Sequence, residues 1–501
     1  MVNLARYVEY HSRLRPSAEA IVYGDTRISW KQLEIRVRET AAGLAALNVG
    51  SDTVVAIIMK NSAAYIECLY AIGYLGGVVL PVNFRLAADE VQFILEHAGA
   101  QVVLVDAEFS ALVPRPGPTV VTFGPDAQHR AAGAFADTSL GAPSFGRRKA
   151  SDLFRIMYTS GTTDRPKGVV HTYDNFYWKS LDHIIALQLT AESRICIVGP
   201  LYHVGACDLP GLGVHIVGGT IIVHRDFDPA SVMHSIGDER VIGIWMAPVM
   251  TGRILSLEDV SQFDVSSLRW CIGGGEKTPE SRIRRFCEVF PHARYIDAYG
   301  MTETGSGDTF MDEGREIEKI GSVGRPVGFV DIDIRDDCGN SLPPGVEGEI
   351  CMHGKKVSER YYRDDERTRL SRWSDGYLRS GDVGYLDEEG FLYLTDRKKD
   401  MIISGGENVS SAEIERVIYG LTEVEEVAVV GRPDDRWGEV PIAVVVFRGG
   451  ASLTFETLRA HCQQQLADFK CPKGLVVVDR LPRNPSGKIL KNPLRDLVRS
   501  V

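Results

Sequence analysis

The 501-residue chain has no excess of positive charge: 56 Lys and Arg stand against 67 Asp and Glu, a formal net charge of −11. That argues against a general nucleic-acid binder, which presents a basic face. Long apolar runs are missing too. The longest stretch without a charged residue, Cys68–Phe84, has 17 residues and contains Gly73, Gly76, Gly77 and Pro81. It is too short and too broken to span a membrane. The nine cysteines are scattered, with no CxxC pair. A disulfide scaffold is not expected, and reduced thiols in a cytoplasmic protein fit best. The first residues, MVNLARYVEYHSRLRP, lack the apolar core of a signal peptide. There is no internal repeat and no low-complexity tract.

What is present is ordinary soluble globular composition, 44% apolar and 25% charged. The length allows one large core and a smaller one. Residues 399–501 carry 14 Lys and Arg and 14 Asp and Glu, so 1–398 holds the whole −11. An anionic ligand must then be met by local groups, not by a global field.

Hydrophobic spacing predicts helices over 27–48, 61–75 and 89–98. Short apolar runs predict strands at 54–59, 78–82 and 101–106, and the alternation suggests parallel sheets covered by helices. Residues 107–150, with Pro114, Pro116 and Pro118, read as a surface linker. Strand candidates resume at 153–157, 195–198, 220–223, 242–245 and 268–272. Residues 317–398 read as a β-rich subdomain, with strands at 330–334, 348–352 and 391–395 among Gly and Pro turns. The last hundred residues read as a small α+β domain, with strands at 427–430, 440–447 and 475–478. Its helices are expected at 410–419, 454–466 and 491–499. The domain boundary is expected near Lys399, giving 1–398 and 399–501.

The strongest local signal is Tyr158-Thr-Ser-Gly-Thr-Thr-Asp-Arg-Pro-Lys-Gly168. Gly161 and Gly168 let backbone approach a ligand. Thr159, Ser160, Thr162 and Thr163 offer hydroxyl donors, and Lys167 offers a point charge suited to phosphate. Successive N–H groups in such a turn form an anion nest. The spacing is not GxxxxGK[ST], so the usual P-loop fold is not implied. By composition alone, a plain polar turn is an equal reading.

This run resembles the signature TSGTTGxPKG of the adenylate-forming superfamily of acyl- and aryl-CoA ligases, adenylation domains and luciferases, with Asp164 where Gly is usual. Further segments resemble the family's motifs in the family's order. They are Trp270-Cys-Ile-Gly-Gly-Gly-Glu276, Asp297-Ala-Tyr-Gly-Met-Thr-Glu303, Arg379-Ser-Gly-Asp-Val-Gly384, the run from Asp396 to Asn408, and Pro482-Arg-Asn-Pro-Ser-Gly-Lys488. The resemblance spans essentially the whole chain, and bacterial acyl-CoA ligases are the nearest in kind. It implies an α/β fold: a large N-terminal domain of helix-covered sheets with the β-rich subdomain, then a small mobile α+β lid.

The resemblance also implies a reaction. A carboxylate attacks the α-phosphate of ATP, pyrophosphate leaves, and CoA then displaces AMP from the acyl-adenylate. Lys488 would reach the α-phosphate and the carboxylate, its ammonium following the developing anion. Glu303, with Thr162, would hold Mg²⁺ among phosphate oxygens. Tyr299 would stack on adenine against the Gly273, Gly274 and Gly275 backbone, with Asp297 toward the amino group. Glu276, Ala298, Gly300, Met301 and Thr302 complete the nucleotide segments. Asp382 and Arg397 would grip the ribose, and His203 would gate the acyl pocket or the pantetheine tunnel. Lys399 would be the hinge of a rotating lid that exchanges Lys488 for Ser404, Gly405 and Gly406 on the CoA side.

The acyl pocket is expected near Tyr202, His203, Asp208, Trp245 and Met246, whose bulk favours a flat aryl or medium-length acid. Asp208 reads either as the N-cap of a helix carrying Pro210 in its first turn or as an acid recognising a substrate amine or hydroxyl. Other readings stand beside the CoA ligase. One is an enzyme adenylating nitrite to diazotise an aromatic amine. Another is a stand-alone enzyme loading a carrier protein in trans, since no carrier domain follows Val501. A binding-only relative would be expected to have lost Lys488, Glu303 or Asp382. Luciferase-like oxygenation is remote, and a homodimer is left open.

Overall fold

A computed structural model describes residues 3–135, 145–159, 166–275, 278–397, 400–404, 407–434, 436–483 and 489–499, with Arg397, Glu407 and Asn408 as backbone alone. By contacts the chain divides into two compact units. One comprises 1–331 with 353–372, the other 332–352 with 373–501. The β-rich strands 348–353, 378–386 and 392–397 thus group mainly with the C-terminal residues. The expected hinge at Lys399 lies outside the described residues.

The larger unit holds two sheets. The six-stranded sheet runs, by first residue, 119, 102, 54, 78, 153, 167. It is parallel up to the strand Leu153–Thr159, and Lys167–Thr172 then closes it antiparallel. The nine-stranded sheet carries a parallel centre formed by the strands starting at 294, 270, 243, 194, 220 and 19. Parallel strands buried on both faces read as continuous apolar runs. This is why Val54–Ile58, Val78–Pro81 and Val102–Asp106 stand out in the sequence and are buried throughout.

One expectation is corrected. Residues 107–150 are not simply a linker, because Thr119–Phe123 adds an edge strand beside Val102–Asp106. Phe123 is fully buried. An edge strand needs only alternate side chains inward, so its signal is weak. The Cys68–Phe84 stretch is the buried helix Ala63–Leu75 and the strand Val78–Pro81. Among the described residues no helix is long and apolar enough to cross a membrane.

The smaller unit contains a four-stranded sheet and a five-stranded one. In the latter, Val424–Asp434 and Gly438–Phe447 form a long antiparallel pair. Helices Ser411–Ile418 and Phe455–Gln463 and the C-terminal helix Lys491–Arg499 bury apolar faces around this pair. All nine cysteines are free, seven of them buried.

Candidate active site

Strand pairing sets the first part of the site. Thr159 ends one strand and Lys167 begins the next, directly opposite it. Ser160, Gly161, Thr162, Thr163 and Asp164 lie between them, outside the described residues. The Lys167 ammonium donates to Glu303 Oε1 at 2.5 Å and to the Tyr361 hydroxyl at 3.0 Å. It also lies 4.7 Å from the Tyr361 ring centroid. Tyr361 in turn donates to the same Glu303 oxygen at 2.7 Å. The Glu303 carbonyl accepts from Ser358 N–H at 2.7 Å. Glu303 is buried, so this pairing has little water to compete with it. The residues named from sequence for phosphate and for metal are therefore brought into direct contact. Tyr361 was missed, because nothing in its local sequence marks a residue that folds back onto this turn.

The adenine-side segments are neighbouring strands. Gly273 pairs with Asp297 and Gly274 with Ala298 in parallel register. Asp297, Ala298 and Tyr299 are buried at the end of their strand. Gly275 turns left-handed at φ +92° with open space where a Cβ would stand. A backbone there that is bare of side chains suits a flat ring lying over it. Gly300, Met301 and Thr302 lead from this strand into the single turn Thr302–Thr304 that carries Glu303. Glu276 lies outside the described residues.

In the acyl segment, His203 caps the short helix Val204–Asp208, its Nδ1 accepting from Gly205 N–H at 3.0 Å. Its ring stacks on Trp245 at 6.0 Å. Trp245 lies so close over Gly199 and Gly205 that a Cβ at either would stand 2.5 Å from the indole. Glycine is needed at both positions for this packing. One expectation fails here. Met246 packs into the apolar core with Ile244 and Phe286, because strand alternation sends it to the face opposite Trp245. Tyr202 and Phe84 meet edge to face at 5.3 Å.

Asp208 is corrected as well. It ends the helix Val204–Asp208, and the next helix, Gly213–Ile216, is capped by Leu212. Its fully buried carboxylate accepts from Arg155, and from Lys179 at 3.3 Å. It is therefore neither an N-cap nor a free acid for an amine. Burial raises its pKa, but Arg155 and Lys179 outweigh burial and hold it at about 2. Arg155 also donates from Nε to His171 Nδ1 at 3.0 Å, and His171 Nε2 meets the Thr302 carbonyl at 2.6 Å. Burial, then the Arg155 charge, lowers His171 to about 3. Beyond this, buried Lys356 pairs with Asp308 at 3.1 Å and donates to the Gly307 carbonyl at 2.8 Å. Arg155, His171 and Lys179 were missed, although an arginine in an apolar strand is itself a signal of a buried partner.

In the smaller unit, Asp382 stands directly opposite Arg397 across two antiparallel strands. Its backbone N–H donates to Ser380 Oγ at 3.0 Å, and Arg379 donates twice to Glu349 Oε2 at 2.9 and 3.2 Å. Asp396 accepts from Ser411 N–H at 2.6 Å, and Asp400 from Arg495 at 2.8 Å. Both sides of Lys399 are thus anchored. Buried Ser404 pairs with Glu407 and Gly438, at the foot of the Gly405 and Gly406 segment. Arg483 bridges to Ile489 on either side of the segment holding Lys488. Lys399, Gly405, Gly406 and Lys488 lie outside the described residues.

These strands, the nucleotide-side turn and the motif order define an adenylate-forming enzyme. Residues 8–362 match the AMP-binding enzyme family and 413–488 the AMP-binding enzyme C-terminal domain. The chain belongs to that family and is an enzyme of the adenylate-forming ligase type. It is 36% identical to a feruloyl-CoA synthase of an Amycolatopsis species over 97% of this chain and 96% of the relative. It is 34% identical to a long-chain-fatty-acid–CoA ligase of Mycobacterium tuberculosis over 99% of this chain and 98% of that one. The o-succinylbenzoate CoA synthetase of Bacillus subtilis, solved with ATP and a magnesium ion, superposes with a TM-score of 0.86. The two are 31% identical, over 99% of this chain and 100% of that one.

Proposed function

We propose that the protein is an ATP-dependent acyl- or aryl-CoA ligase acting on a flat aryl or medium-length carboxylic acid. The observation that carries this reading is the contact of Lys167 and Tyr361 with Glu303 beside the strand end at Thr159. ATP and Mg²⁺ would enter here. Mg²⁺ accepts one carboxylate and completes its shell with phosphate oxygens and water. Among the described residues no group of three or more His, Cys, Asp or Glu is placed to hold a metal. Glu303 would be the single protein carboxylate such a shared ion needs, and Lys167 would answer the remaining phosphate charge. Bound Mg²⁺ would neutralise phosphate charge. Lys167 would leave Glu303 for a phosphate oxygen, and Thr159 to Thr163 would supply hydroxyl and N–H donors.

Lys488 would place its charge between the α-phosphate and the substrate carboxylate, where two anions must be brought together. Asp382 would accept from the ribose hydroxyls. Thioester formation follows once the lid turns about Lys399 and Ser404, Gly405 and Gly406 line the path of the CoA thiol. The chain length of the acid is limited by Trp245, held rigidly by His203 and the two glycines beneath it.

The test is pyrophosphate release from ATP across a panel of aryl, medium-chain and long-chain acids, with and without CoA. Aryl or medium acids should release pyrophosphate and yield thioesters. Activity confined to long-chain acids would overturn the pocket reading. Turnover only with nitrite and an arylamine, or only with a carrier protein, would overturn the CoA-ligase reading.

A further inference from the structure

We infer that Asp208, Arg155 and His171 form a buried relay that positions the Thr302–Glu303 turn, so that the acyl segment and the metal-side turn are held by one chain of polar contacts. This rests on the reading of Glu303 as the Mg²⁺ ligand. The relay begins on the short helix that carries His203 at its cap and Asp208 as its last residue. The Asp208 carboxylate fixes the Arg155 guanidinium on the strand just before the phosphate segment. Arg155 donates from Nε at 3.0 Å to His171 Nδ1, and its Nη2 lies 2.9 Å from the same atom. A guanidinium only donates, so Nδ1 must accept and the ring proton resides on Nε2. Nε2–H then donates to the Thr302 carbonyl at 2.6 Å, one residue before Glu303.

All three side chains are at least 98% buried. Lys179 supplies a second cation to Asp208, and His183 Nδ1 sits 2.9 Å from the Asp208 carbonyl. Both carboxylate oxygens thus have a cationic partner in the protein and no solvent exposure, which suits a positioning role and not substrate contact. Partners of this kind orient a ligating group without touching the metal. None of the three is proposed as catalytic.

Calorimetry with α,β-methylene-ATP, with and without Mg²⁺, tests the relay without knowledge of the acid. His171→Leu keeps the Arg155–Asp208 pair but removes the bond to Thr302. It should reduce the Mg²⁺-dependent gain in affinity about tenfold and leave Mg²⁺-free binding unchanged. His171→Gln can accept from Arg155 and donate to Thr302, and should restore most of the gain. Folding of each variant is verified by thermal unfolding. An unchanged Mg²⁺ gain in folded His171→Leu, or equal loss in the Leu and Gln variants, would overturn the relay. Glu303→Gln separates the two levels: if it too keeps the full gain, the metal assignment itself falls.

Discussion

The two compact units fix their motif residues in different ways. In the larger unit, motif and near-motif carboxylates meet buried or half-buried cations: Glu303 with Lys167, Asp208 with Arg155 and Lys179, Asp308 with Lys356. In the smaller unit, Asp396 is held by Ser411 and Asp400 by Arg495, on either side of Lys399. The Arg379–Glu349 pair braces the approach to Asp382, and the Arg483–Ile489 bridge flanks the Lys488 segment. On the proposed reading, the first arrangement would preset a nucleotide side in which a ligand exchanges one charged partner for another. The second ties down residues on either side of Lys399 and of the Lys488 segment.

The largest effect should come from breaking the buried charges. Asp208→Asn leaves Arg155 and Lys179 facing each other without a counter-charge. Loss of one partner of a buried pair costs about 3–5 kcal/mol, to be read from denaturant midpoints. A cost under about 1 kcal/mol would mean that water reaches the cluster. Next comes the smaller unit's lysine. Lys488→Ala should slow pyrophosphate release by about 10²- to 10³-fold, the range for losing one preorganised charge-stabilising donor. ATP affinity by calorimetry should hold. Parallel loss of binding would make Lys488 a nucleotide anchor like those of the larger unit, and the contrast would fail. Lys399→Pro is expected to slow thioester formation relative to adenylation by about tenfold, equivalent to about 1.4 kcal/mol of barrier. Separate assays of pyrophosphate and thioester decide this, and equal losses would remove the hinge role.

The same contrast shows what the sequence could carry. Strands such as Val102–Asp106 are legible because both faces are buried, so Val102 to Val105 form an unbroken apolar run. Family order places Glu303, Lys167, Tyr299 and Asp382 in their segments. What could not be read is side-chain direction across long separations. Tyr361 reaches Glu303 over 58 residues, and Asp208 finds Arg155 over 53. The capping reading of Asp208 used sound local chemistry, with Pro210 two residues on, yet long-range ion pairing won. Met246 was misplaced for a simpler reason: its bulk resembles that of Trp245, and only the strand's alternation separates their faces.

A pH dependence of stability belongs mainly to the larger unit. Burial lowers His171 and His215 to about 3. His215 Nδ1 lies 2.7 Å from the Tyr70 hydroxyl and its Nε2 2.9 Å from the Ala20 carbonyl. An unfolded histidine titrates near 6.5. Each folded ring therefore stays neutral while its unfolded counterpart gains a proton. Stability is fully present above pH 6.5 and falls as pH drops from there toward 3, by about 1.4 kcal/mol per pH unit for each such ring. Asp208, held at about 2, adds a second loss only below its unfolded value near 3.9. Thermal unfolding from pH 7 to 4.5 should show the decline, and His215→Gln should flatten it by one histidine's share. The His171 variants should flatten it similarly, since burial is the larger cause at that ring too, ahead of the Arg155 charge. If neither substitution changes the slope, these rings are already protonated in the folded chain, and the larger unit is less dry than its packing implies.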